Sequence, residues 1–136
     1  MERDVVLRKL ESVRRCIERI ESKRPADART LEQDYDLQDI ISVNLERAIQ
    51  ASVDIASVLL AERGEGTPAT MGEAFPLLAQ SGIIPADLAE GLRKAVGFRN
   101  ISVDAYDKID WAIVFGIVST RLEDFRTFAR FALAAL

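Results

Sequence analysis

Histidine is missing from all 136 residues. That absence removes the commonest general base, the commonest zinc ligand and every Ser-His or Cys-His nucleophile. Cysteine occurs once, as Cys16, so no internal disulfide can form. Cys16 flanks an apolar stripe and is expected to be a packed, inert thiol, with no imidazole to activate it. Basic charge is not in excess: 18 Lys and Arg face 22 Asp and Glu, for a formal net charge of −4. Sequence-independent clinging to nucleic acid needs a basic face, so only a small, local basic site remains open. The longest apolar run, Trp111 to Val118, is far short of the roughly 20 residues of a membrane span. Met1-Glu2-Arg3-Asp4 is not followed by the apolar core of a signal peptide. A soluble, cytoplasmic protein with no membrane association is expected. No P-loop or dinucleotide fingerprint occurs. The acidic groups Asp34-Asp36-Asp39 and Glu123-Asp124 read as helix starts and solvated surface, so no metal or other cofactor is expected.

What is present is helical periodicity. Hydrophobic residues make up 49% and charged residues 29%, enough for one ordered domain over residues 1–136. Val6, Leu10, Val13, Ile17 and Ile20 recur every three or four residues, the stripe of an amphipathic helix. The pattern breaks at Lys23-Arg24-Pro25. A second long helix carries Leu37, Ile41, Leu45, Ala48, Ser52, Ile55 and Leu59, starting at a Thr30–Gln33 capping box or nearer Asp36. Small residues on its inner face (Ala48, Ala51, Ser52, Ala56) allow close approach of a neighbour. Gly64 to Pro68 stops it. Thr70 and Glu73 form a second capping-box pattern, opening a short helix that ends at Ser81-Gly82. Pro85 starts another long helix, with Asp87 suited to its N-terminal end. Asp110 is placed to cap a final helix that is apolar nearly all round from Trp111 to Val118, which points to a central helix or an oligomer interface. The expected fold is all-α: an up-and-down bundle of four long helices plus one short helix.

One stretch is not generic bundle. In Val96-Gly97-Phe98-Arg99-Asn100-Ile101-Ser102-Val103-Asp104-Ala105-Tyr106, a cation and an amide interrupt an apolar helix. Leu88, Leu92, Ala95 and Arg99 share one azimuth, Arg99 lying within about 20° of Leu88. Arg99 is thus expected to continue a core-facing stripe. A guanidinium cannot shed its charge, so it needs an anion: a carboxylate of the same fold, one from a partner subunit, or a phosphate. Asp104 lies about 140° from Arg99 on a continuous helix, and the two converge only if the helix loosens between them. Tyr106 returns to the azimuth of Arg99 two turns on. Read without further context, Arg99 is a core Arg met by a neighbouring carboxylate and Tyr106 a packing residue.

Together with the chain length, the helix order and Gly82-Ile83-Ile84-Pro85, this stretch resembles the signature of HepT-like toxins. These are the compact branch of the HEPN ribonuclease superfamily, and their segment reads Phe-Arg-Asn-x-x-Val-His-x-Tyr. The resemblance implies a HEPN-like fold and a homodimeric, metal-independent endoribonuclease. Arg99, with Asn100 beside it in the substrate site, would hold the scissile RNA phosphate. The residue at 104 would move protons to and from the ribose 2′-hydroxyl and the leaving oxygen. It also implies a nucleotidyltransferase antitoxin that blocks the site by adding AMP to the motif Tyr, matched here by Tyr106. At the decisive position Asp104 replaces the family His. A carboxylate repels the substrate phosphate, is poorly suited to proton transfer at neutral pH, and is expected to pair with Arg99 and quench it. The chain is therefore expected to be inactive in cleavage. Asp104 is either an inactivating change, since His and Asp codons differ by one base, or native to a member that has kept binding alone. A second class stays open: a non-catalytic module that presents substrate to a nucleotidyltransferase.

Overall fold

The computed structural model describes residues 2–136. Among them, seven α-helices and two short 3-10 turns account for the regular structure. The helices are α1 (Glu2–Ser22), α2 (Ala28–Gln33), α3 (Tyr35–Glu62), α4 (Ala74–Gln80), α5 (Ala86–Asp104), α6 (Trp111–Thr120) and α7 (Leu122–Ala134).

The expected all-α bundle is present, with three local differences. The chain after Pro25 forms a separate short helix instead of leading straight into α3. Asp27 caps α2 by accepting from the Thr30 N–H at 2.7 Å, and Asp34 caps α3 by accepting from the Leu37 N–H at 3.0 Å. An aspartate one residue before each helix thus takes the role expected of Thr30 and Gln33. Buried Gln38 ties the two together, donating to the carbonyls of Leu31 and Glu32 at 2.9 and 3.1 Å. Secondly, the expected Thr70–Glu73 box does not form. Thr70 makes no side-chain cap, Glu73 accepts from the Ala69 N–H at 3.3 Å, and the pair encloses a 3-10 turn before α4. Thirdly, the final helix is interrupted at Arg121. The Thr120 hydroxyl donates to the Gly116 carbonyl at 2.8 Å, and such back-bonding bends helices. Asp110 caps α6 as expected, accepting from the Ala112 N–H at 3.0 Å.

The central helix is α3, which buries thirteen residues. Its small residues do what their size predicts: Ala48, Ala51, Ser52 and Ala56 are buried, and α1 packs along this helix. The α1 stripe is buried through Val6, Val13, Ile17 and Ile20, with Cys16 beside it. Burial pushes the Cys16 thiol up from its ordinary pKa, which keeps it protonated. Phe75 and Phe128 meet edge-on, ring centres 5.6 Å apart, joining α4 to α7. By contrast, the apolar helix α6 is not central. It fully buries Val114 and Val118, while Ile113 stays 61% exposed. No helix among the described residues is long and apolar enough to cross a membrane.

Phe128→Ala is expected to cost about 3–5 kcal/mol, because it removes a fully buried ring and strips Phe75 of its partner. Urea unfolding would check this. A loss below about 1 kcal/mol would show that the α4–α7 contact is not part of the core.

Candidate functional site

The segment from Arg99 to Tyr106 closes α5 and turns out of it. Helical geometry persists to Asp104, so Arg99 and Asp104 stay on different faces and do not converge within one chain. Ala105 then leaves the helical region (φ −150°, ψ 56°), and Tyr106 opens a 3-10 turn through Lys108. Tyr106 therefore does not return to the azimuth of Arg99, as it would on an unbroken helix. It swings toward α3.

The expectation of a core-facing Arg99 needs correction. Leu88 and Leu92 are buried, but Ala95 and Arg99 on the same stripe are only partly so. Val96 and Ser102, about a turn to either side, are buried, so the covering continues past Arg99 and leaves it half-buried. Arg99 donates from Nη1 to Asn100 Oδ1 at 3.2 Å and forms no ion pair among the described residues. The expected quenching by Asp104 is thus absent, because five helical positions carry that carboxylate round to another exposed face. Neither a buried carboxylate partner nor a sealed interior accounts for Arg99. Its remaining donors point to a ligand or to water.

Tyr106 is held more firmly. Its hydroxyl donates to Asp39 Oδ1 at 2.7 Å, and its ring meets Trp111 edge-on with centres 5.8 Å apart. It remains 40% exposed. Partial burial, and next the bond to Asp39, push its pKa above the ordinary phenol value. One α3 stripe supplies the contacts: Asp39, Ser42 and Glu46 follow at i, i+3 and i+7. The Ser102 hydroxyl donates to Glu46, and the buried Ser42 hydroxyl has no partner among the described residues. Asp39 and Glu46 were not singled out for this role in the sequence. The available signal was slight: Asp39, Ser42 and Glu46 share a helical spacing, on a helix that carries other polar and charged residues as well.

Beside the segment, α5 and α6 enclose a groove of about 710 Å³ lined by Phe98, Ile101, Ile109, Ile113 and Ile117. Gly97 and Gly116 line it as well, and a methyl added at either would meet open space. Exposed Ile101, Val103 and Ile113 extend the apolar surface.

The model of the family described as ribonuclease HepT-like matches residues 13–132. The chain belongs to the HepT-like family. It is 37% identical over 125 residues to the mRNA nuclease HepT of Shewanella oneidensis, covering 92% of this chain and 93% of that protein. It is 33% identical over 94 residues to the tRNA nuclease HepT of Aphanizomenon flos-aquae, covering 68% and 64%. The fold superposes on the tri-AMPylated HEPN toxin of S. oneidensis, solved in complex with an MNT antitoxin, with a TM-score of 0.89 at 36% identity. That match covers 96% of this chain and 98% of the toxin. Within the HepT-like frame, Arg99, Asn100, Asp104 and Tyr106 all lie on one exposed end of α5 and its following turn.

The Asp39–Tyr106 bond can be titrated. With Tyr35→Phe leaving Tyr106 as the sole phenol, ultraviolet titration is expected to give a midpoint above about 10. Adding Asp39→Asn should lower it. Because folding raises this pKa, the protonated phenol favours the folded state below the unfolded pKa, and that contribution fades as pH rises through the folded one. A midpoint unmoved by Asp39→Asn would mean the carboxylate does not act on the phenol.

Proposed function

We propose that this protein is the toxin half of a toxin–antitoxin pair. It is a single HEPN-like domain that acts in the cytoplasm as a homodimer, and its ribonuclease site is disabled by Asp104. The observation that carries this is an unpaired guanidinium, Arg99, at the motif position of a chain 37% identical to an mRNA nuclease. A planar, permanent cation with free donors suits the non-bridging oxygens of an RNA phosphate, where it would also stabilise the charge that develops during cleavage. Asn100, bonded to Arg99, orients the guanidinium and offers its own amide to the substrate.

A homodimer follows from two features. Arg99 and residue 104 diverge on one α5, so a closed site needs a second copy to supply what one lacks. The apolar groove between α5 and α6, with exposed Ile113 at its edge, offers the surface for it. An MNT-type nucleotidyltransferase is the antitoxin, and exposed Tyr106 is the residue that accepts AMP. An anionic nucleotide there would block the phosphate path by charge and volume.

Cleavage needs a group that takes the 2′-hydroxyl proton and returns one to the leaving oxygen near neutral pH. Imidazole does both, whereas a carboxylate, ionised near neutral pH, has no proton to return to the leaving oxygen. Asp104→His is therefore expected to yield a growth-inhibiting, RNA-cleaving protein, with Arg99→Ala in that background reducing cleavage by at least ~10²-fold. A folded Asp104→His protein that leaves RNA intact would favour the second reading, a non-catalytic module presenting substrate to a nucleotidyltransferase. The complete absence of His is the observation behind that alternative. Ile113→Asp is expected to convert the dimer to a monomer in light scattering. A dimer that survives it must use another face.

A further inference from the structure

We infer that Asp39 positions the Tyr106 hydroxyl and accepts its proton when that oxygen takes up AMP. This rests on the assignment of Tyr106 as the AMP acceptor made above. The geometry is built for it. The phenol O–H is already aimed at Asp39 Oδ1 over 2.7 Å, and the Trp111 ring edge fixes the tyrosine plane from α6. With the hydrogen directed at α3, the oxygen lone pairs are left for an electrophile approaching from solvent, where Tyr106 is 40% exposed.

The environment also makes a base necessary. Tyr106 holds its proton more tightly than an ordinary phenol, so little phenolate pre-exists at neutral pH. The proton must leave as the new bond forms, to a group already within hydrogen-bond reach. The charged groups acting on the phenol from α3 are Asp39 and Glu46, and Glu46 is committed to Ser102. The neighbouring turn carries Asp107 and Lys108, both exposed, and α6 contributes the uncharged indole. Asp39 is the carboxylate in contact.

In the transfer, the Tyr106 oxygen attacks the α-phosphorus of ATP held by the nucleotidyltransferase. The bond from that phosphorus to the bridging oxygen breaks, and pyrophosphate leaves with the electron pair. The phenol proton passes to Asp39 and from there to water. The adenylylated oxygen has no hydrogen to donate, so the product loses its tie to α3.

The test is the initial rate of AMP incorporation, read by intact mass, into this protein by an MNT nucleotidyltransferase of the kind solved with the S. oneidensis toxin, with saturating ATP. Tyr106→Phe, Asp39→Asn and Asp39→Glu are compared with the unaltered chain, and affinity for the nucleotidyltransferase is measured alongside. The expected result is ~10²-fold slower incorporation in Asp39→Asn at unchanged affinity, with rates rising steeply toward alkaline pH, and partial recovery in Asp39→Glu. Incorporation by Asp39→Asn within about twofold of the unaltered chain would overturn the role of Asp39 while leaving Tyr106 as acceptor. So would a loss explained wholly by weaker binding. If Tyr106→Phe takes up AMP as well as the unaltered chain does, or the unaltered chain takes up none, the acceptor assignment itself fails and Asp39 falls with it.

Discussion

Two carboxylates of α3 hold down the far end of α5, and the geometry of the motif depends on them. Glu46 accepts from Ser102 inside the last turn of the helix, and Asp39 accepts from Tyr106 just beyond it. Charge-assisted bonds of this kind are stronger than neutral ones and are directional. They decide where the helix stops mattering as a helix and where the tyrosine points. Without them, the exposed apolar residues around Ile101 and Val103 offer little to fix the segment against the bundle.

That anchoring leaves Arg99 free. The apolar stripe of α5 is buried at Leu88 and Leu92, whereas Ala95 and Arg99 on the same azimuth are only half-buried. A cation in that position costs little desolvation and stays available, whereas a buried one would have demanded an acid of its own. Helix rotation explains why Asp104 does not neutralise Arg99: the helix runs unbroken between them, and five residues of rotation separate their faces. A carboxylate at 104 therefore leaves the Arg99 guanidinium without an ion pair among the described residues.

The apolar surface of α5 and α6 completes the arrangement. Gly97 and Gly116 line the groove between these helices, together with Ile113. A helix apolar nearly all round, with two residues fully buried, leaves a contiguous patch that a second copy can cover. Among the described residues, Ile101, Val103 and Ile113 remain exposed on this surface, which is why the proposed dimer is placed there.

Much of this was legible in the order of residues. Periodicity at three and four marked α1, α3 and the helices that follow, the Gly82 and Asp110 boundaries fell where turn chemistry puts them, and the spacing from Arg99 to Tyr106 carried the family. Local covalent and hydrogen-bonding preferences suffice for such features, since each involves residues a few positions apart. Three things were decided by tertiary structure alone. Which apolar helix lies at the centre depends on how many neighbours each can gather, and α3 displaced the more uniformly apolar α6. The half-burial of Arg99, between buried Val96 and Ser102, depends on how neighbouring helices pack at that one position, which no stripe on α5 encodes. The role of Asp39 depends on a contact 67 positions away in the chain, and an aspartate among other aspartates reads as solvated surface until a phenol is brought to it.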